Sequence, residues 1–171
     1  AARSRARGGK GAEDFADQMI PELGQLALCL ALAVALVQGF FPIAGAASGN
    51  LSWMNAARPA ALAQALLVAF AFGCLTYAFV TNDFSVQYVA MHSNSALPLH
   101  YRVSGVWGGH EGSFLLWCLM LGVWMLAVAA FSAHLPEEMV ARVLGVMGVL
   151  SAGFLAFMLF ISTIAAATQV V

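Results

Sequence analysis

The sequence predicts an all-α membrane protein: about four transmembrane helices with one long polar loop. Three observations carry this. Of the 171 residues, 62% are hydrophobic and 9% charged, whereas a soluble domain carries charge on about a quarter of its residues. Four uncharged runs, at residues 23–41, 60–80, 113–131 and 143–164, each come near the roughly 20 residues a helix needs to cross about 30 Å of hydrocarbon. Half of the Asp, Glu, Arg and His residues outside the first eighteen positions are gathered in one connector, residues 81–112.

Residues 1–18 are polar, with Arg3, Arg5, Arg7 and Lys10 ahead of Glu13, Asp14 and Asp17. They read as a disordered tail or a non-native extension, with Met19 as a start. Pro21 and Glu22 then suit the first turn of a helix. A cleaved signal sequence has a shorter apolar core and a small-residue cleavage site, so the first run is expected to stay as a span. The connector 42–59 is rich in Gly, Ser and Asn and carries Trp53. Pro136, Glu137, Glu138 and Arg142 form an ordinary helix start, with acids in the first turn. Gly145, Gly148 and Ala152 allow another helix to approach the last run closely. Residues 165–171 read as a second tail.

The net charge of -1, without a basic face, excludes the electrostatic footprint of a nucleic-acid binder. Cys29, Cys74 and Cys118 are far apart inside apolar runs, which suits buried free thiols rather than a disulfide framework. No Cys-x-x-Cys pair occurs, so a zinc site, thiol redox chemistry and covalent haem carriage by this chain are not expected. The positive-inside rule depends on residues 1–18. With them the amino terminus falls in the cytoplasm; from Met19 onward, Arg102 stands against Arg58 and Arg142, and the 81–112 loop falls outside.

That loop holds Asp83, His92, Asn94, His100, Tyr101, Arg102, His110 and Glu111, and a connector of about 30 residues is usually functional. It ends in Val106-Trp-Gly-Gly-His-Glu-Gly-Ser113. With helical geometry from Trp107 onward, Trp107, His110, Phe114, Trp117, Leu121 and Trp124 fall within roughly 100° of arc, an aromatic stripe headed by a histidine. Gly105, Gly108 and Gly112 lie opposite, leaving a flat face for a helix or a planar ligand. The glycines weaken the helix start by roughly 1 kcal/mol each against alanine, so something outside the segment must hold it.

Several stretches together resemble the start of CcmF-type proteins, the haem lyase subunits of bacterial cytochrome c maturation. They are Met19-Ile-Pro-Glu-Leu-Gly24, Phe72-Gly-Cys-Leu-Thr-Tyr-Ala-Phe79, Asp83-Phe-Ser-Val-Gln-Tyr-Val-Ala90, Ser93-Asn-Ser-Ala-Leu-Pro98, Tyr101 to Ser113 and Leu135-Pro-Glu-Glu138. The likeness runs from about Met19 to Phe160. It implies a larger inner-membrane protein, with the 81–112 loop extracytoplasmic. It further implies that haem arrives from a periplasmic haem chaperone and is joined by thioether bonds to the Cys-x-x-Cys-His motif of apocytochrome c, alongside other maturation subunits. The family's haem-ligating histidines and tryptophan-rich loop have no counterpart here, so the chain is expected to be an amino-terminal fragment lacking the catalytic and iron-ligand residues.

Within that frame the candidate haem-vicinity residues are His110, Trp107 and Arg102. Imidazole is a good axial iron ligand, indole stacks on a porphyrin face, and guanidinium pairs a propionate. Each has a plainer reading: His110 and Glu111 bonding loop backbone at the interface, Trp107 as a belt anchor, and Arg102 in a surface pair with Glu111 worth about 0–1 kcal/mol. Trp117 and Trp124 read first as helix packing, and His92 and His100 as solvated loop residues. Beside haem handling stand a transporter or channel fragment and a structural membrane subunit. The uncharged spans weigh against the first of these, because intramembrane ionisable groups mark transport paths.

Overall fold

A computed structural model describes the backbone of residues 2–82, 87–92 and 98–168, and side chains at 19–82, 88–91 and 98–161. In hydrocarbon each backbone N–H and C=O must be paired within its own segment, so uncharged runs become helices. Four long helices, α1 (Ala2–Ser48), α3 (Ala57–Thr81), α6 (His110–Phe131) and α7 (Glu137–Thr168), contain the four expected runs. The connectors hold α2 (Leu51–Met54), α4 (Gln87–His92) and α5 (Leu99–Gly105). Met19–Ser48, Leu51–Thr81, His110–Phe131 and Glu137–Ile161 are long and apolar enough to cross a membrane. The backbone of α1 is helical from Ala2, through the stretch expected as a disordered tail.

Local chemistry sets the ends. Gly49, at φ 71°, turns the chain after α1, and the Asn50 side chain accepts from Ser52 N–H to start α2. Asn82 takes the left-handed conformation, φ 54° and ψ 47°, and its N–H closes α3 on Ala78 and Phe79 carbonyls. Asn tolerates that region because its short polar side chain can bond locally.

The helices form a ring in which α1 packs on α3 and α7, and α6 packs on the same two. One core layer joins Ala31, Ala35, Val68, Leu115, Cys118, Ala152, Leu155 and Met158. A second, toward the 132–136 turn, joins Ala57, Ala61, Met125, Val140 and Leu144. Small residues bring α1 and α7 into backbone contact: a Cβ on Gly39 would lie 2.8 Å from Val149 Cγ2, and one on Gly148 would lie 3.0 Å from the Gly39 nitrogen. Gly145 and Gly148 thus make the close approach expected of them. The thiols depart from expectation in part: Cys118 is buried, Cys74 is intermediate and Cys29 is exposed on α1, because the apolar run containing Cys29 turns part of its circumference outward.

Candidate functional site

The 81–112 connector folds back on the bundle through a small core of its own. Ala78 and Phe79 from α3, Val89 from α4 and Val106 at the end of α5 are buried together. The Tyr88 ring meets Phe79 edge-on at 5.5 Å, which carries the Tyr88 hydroxyl to the turn between α5 and α6. There it donates to the Val106 carbonyl at 3.1 Å and accepts from the Gly109 N–H at 2.9 Å. On the other side of the turn, Ser113 Oγ donates to the Trp107 carbonyl at 2.8 Å. These bonds answer the question the glycines raised: the weak helix start is held by a hydroxyl from α4.

Gly112 shows why glycine is required. It is buried, and a Cβ there would overlap the Val106 carbonyl oxygen and sit 2.6 Å from the Tyr88 hydroxyl. Burial pushes the Tyr88 phenol above its usual 10.0 and the nearby Glu111 charge adds to this, while the Gly109 and Gly112 amides pull the other way. The hydroxyl therefore stays protonated and able to donate across the whole physiological range.

The clasp changes the expected stripe. Helical geometry begins at His110, not Trp107, because the bonds to Tyr88 and Ser113 fold residues 106–109 into a turn. Trp107 (43% exposed) stands on that turn, and His110 is exposed on the first turn of α6. Phe114 leaves the stripe to pack on Phe157, ring centroids 5.2 Å apart, and Leu121 joins the second core layer. Gly112, opposite, faces the turn's own backbone rather than a planar ligand. Arg102, on α5, reaches back to the Val80 carbonyl at 3.5 Å. His100 lies against Tyr101, ring centroids 4.3 Å apart. The His92 side chain, Asp83 and Asn94 lie outside the described residues.

His110, Trp107 and Arg102 thus share one end of the bundle, two of them on the clasped turn. Among the described residues, no three His, Cys, Asp or Glu side chains converge as a metal cage requires.

Against known proteins, the chain is 61% identical over 144 residues to the cytochrome c-type biogenesis protein CcmF of Pseudomonas aeruginosa, covering 84% of this chain and 22% of that protein. The chain belongs with the CcmF-type proteins. The Escherichia coli CcmF is 50% identical over 144 residues, with the same shares. NrfE of Haemophilus influenzae, also a cytochrome c-type biogenesis protein, is 40% identical over 84% of this chain and 23% of its own length. A solved cytochrome c haem lyase CcmF superposes with a TM-score of 0.76 at 28% identity, covering 81% of this chain and 23% of that one. No protein-family model matches the chain. This CcmF-type chain therefore spans about a fifth of the length of the relatives it matches, and it is a multi-pass membrane protein.

Sequence reasoning missed three groups. Tyr88 lay inside a family-like stretch and gave no sign of its reach. Gln38 and Gln64, amides within apolar runs, are fully buried. Gln38 Nε2 donates to the Leu144 carbonyl at 2.8 Å, and Gln64 Nε2 donates to Ser151 Oγ. The signal was available in part: a Gln deep in an apolar run finds a partner inside the bundle more readily than in lipid. At the opposite end Arg58 is unforeseen too. It bonds the Ala129 and Ser132 carbonyls, each at 3.4 Å, at the end of α6, and pairs Glu137 at 3.2 Å. Among the described residues the ion pairs are this one and Arg142–Glu138; the option of Arg102 with Glu111 is not among them.

Proposed function

We propose that the chain acts in cytochrome c maturation as the amino-terminal membrane part of a haem lyase unit, helping to deliver and attach haem to apocytochrome c. The carrying observation is the clasped turn, which displays Trp107 and His110 at one end of a bundle like that of a solved haem lyase. In this reading the bundle lies in the bacterial inner membrane with residues 81–112 facing the periplasm. The charge count supports that direction, since Arg58 and Arg142 stand at the end opposite Arg102. The partners are a periplasmic haem chaperone, apocytochrome c and further maturation subunits.

The contribution is positioning. Haem would supply the vinyl groups across which cysteine S–H bonds add to give thioethers; the turn supplies an apolar edge and a histidine beside it, and Arg102 supplies a cation for a propionate. In this reading iron ligation and catalysis fall to the remainder of a longer lyase polypeptide. The experiment is deletion of the gene with haem staining of c-type cytochromes, expected to show their loss; normal maturation would sink the reading. Two further measurements sharpen it. A reporter fused after Asn82 is expected to be active outside the cytoplasm. Absorption spectra of purified wild type and His110→Ala decide whether a Soret band depends on this imidazole.

A further inference from the structure

Helix α6 spends only one side of its circumference inside the bundle. Gly112, Leu115, Cys118, Gly122 and Met125 are buried, while His110, Trp117, Trp124 and Phe131 recur at every seventh residue and are all exposed. A seven-residue step falls about 20° short of two full turns, so these four form one nearly straight seam. Trp117 is 63% exposed, Trp124 65% and Phe131 80%.

The depth of the two tryptophans gives the seam chemical content. The 22 residues of α6 span about 33 Å at 1.5 Å each, and Trp117 and Trp124 fall about 5 Å to either side of the midpoint. Membrane-belt tryptophans sit at span ends, where the indole N–H meets water and headgroups. These lie well inside the hydrocarbon. Indole is a donor only, an acyl chain offers no acceptor, and a polar N–H left unpaired in hydrocarbon costs a few kcal/mol. No hydrogen bond to either indole is found among the described residues. By contrast, a groove of about 740 Å³ between α1 and α7 is lined by groups such as Leu36, Phe40 and Ala156 and carries no such donor, so lipid can satisfy it.

The matched segment makes up 23% of the solved haem lyase chain, so more than three quarters of that architecture lies outside these helices. We propose that the His110–Trp117–Trp124–Phe131 seam is the docking surface for a transmembrane helix from the remaining lyase polypeptide, one that presents hydrogen-bond acceptors at the levels of the two indoles. Such acceptors are Ser, Thr, Asn or Gln side-chain oxygens, or a backbone carbonyl freed by a proline. The proposal rests on the kinship with haem lyases and not on haem contact at the Trp107–His110 turn.

For the test, this chain replaces the matched segment of the Pseudomonas aeruginosa relative, giving a full-length chimaera. Photoreactive p-benzoylphenylalanine is introduced at position 117 or 124, and crosslinked peptides are identified by mass spectrometry after irradiation in membranes. One downstream transmembrane segment, reached from both positions at points about seven residues apart, is the expected result. Adducts to lipid alone, to haem, to a second copy or to this chain's own helices overturn the proposal. A second measurement avoids the bulky probe: Trp117→Phe with Trp124→Phe keeps the ring and removes the donor. The thermal midpoint is expected to fall in the chimaera and stay unchanged in this chain alone; equal shifts, or none in the chimaera, overturn it. Haem staining of the same cells reads lyase function separately, so crosslinking without maturation would leave the docking surface standing and remove the haem role.

Discussion

Replacing Gly112 with alanine is the most direct test of the clasp. The added methyl overlaps the Val106 carbonyl oxygen and lies 2.6 Å from the Tyr88 hydroxyl, so the turn must open or Tyr88 must withdraw. Either movement breaks the bonds from Tyr88 to Val106 and from Gly109 to Tyr88, worth about 0.5–1.5 kcal/mol each. It also loosens the Phe79–Tyr88 edge contact at 5.5 Å, which contributes about 0.5–1.5 kcal/mol beyond burial. Alanine returns about 1 kcal/mol of helix propensity in the first turn of α6. The balance is a local loss of about 2 kcal/mol, or about 30-fold in the opening equilibrium. Hydrogen exchange in lipid discs reads this directly, with the amides of residues 105–113 speeding up while the α1–α7 core keeps its protection. Gly73→Ala, where a Cβ meets nothing within 4 Å, is the matched control. Unchanged exchange in Gly112→Ala would refute the account of why glycine stands here.

Other expectations follow from the same geometry. Because the Tyr88 phenol is held above 10.0 mainly by burial, the folded state binds its proton more tightly than the unfolded one. The clasp should keep its full stability below pH 10 and lose it as the pH rises through the higher folded value, read by exchange at residues 105–113. Gln38→Leu should cost about 1 kcal/mol, since it removes the Nε2 bonds to the Leu144 carbonyl and, more weakly, to the Met125 sulfur together with a buried Oε1 that has no partner among the described residues. Gln38→Ala leaves a cavity instead and should cost about 2–3 kcal/mol in a detergent unfolding titration. Arg58→Met should lower stability by about 1 kcal/mol, because it uncaps the end of α6 and breaks the pair with Glu137. Arg142→Ala, whose pair with Glu138 is exposed, should change the same titration by no more than about 0.5 kcal/mol.

The four spans were legible because the constraint that creates them is local. An uncharged run in hydrocarbon has to pair its own backbone, whatever lies beside it. Gly145 and Gly148 were legible as contact points for a similar reason, since a helix without side chains admits a neighbour. The stripe from Trp107 through Phe114 was half right. Periodicity placed Trp117 and Trp124 on one face, but the packing expected of them is not found within this bundle, where both are exposed; nor does periodicity carry any account of the hydroxyl that bends residues 106–109 into a turn, or of the partner rings that draw Phe114 inward. Tyr88 and Gly109 are 21 residues apart, and Arg58 and Glu137 are 79 apart; pairings at such separations leave no periodic trace.

By itself, then, the sequence determined which runs form helices long and apolar enough to cross a bilayer, where charge is excluded, and which short stretches look like those of haem lyases. Composition and hydrophobic run length act residue by residue, so they survive being read in one dimension. Only the tertiary structure decided what holds the glycine-rich turn, which face of α6 is left without a neighbour, and where the buried amides of Gln38 and Gln64 find partners. Those outcomes depend on which helix lies next to which, and that is set by the packing of the whole ring at once.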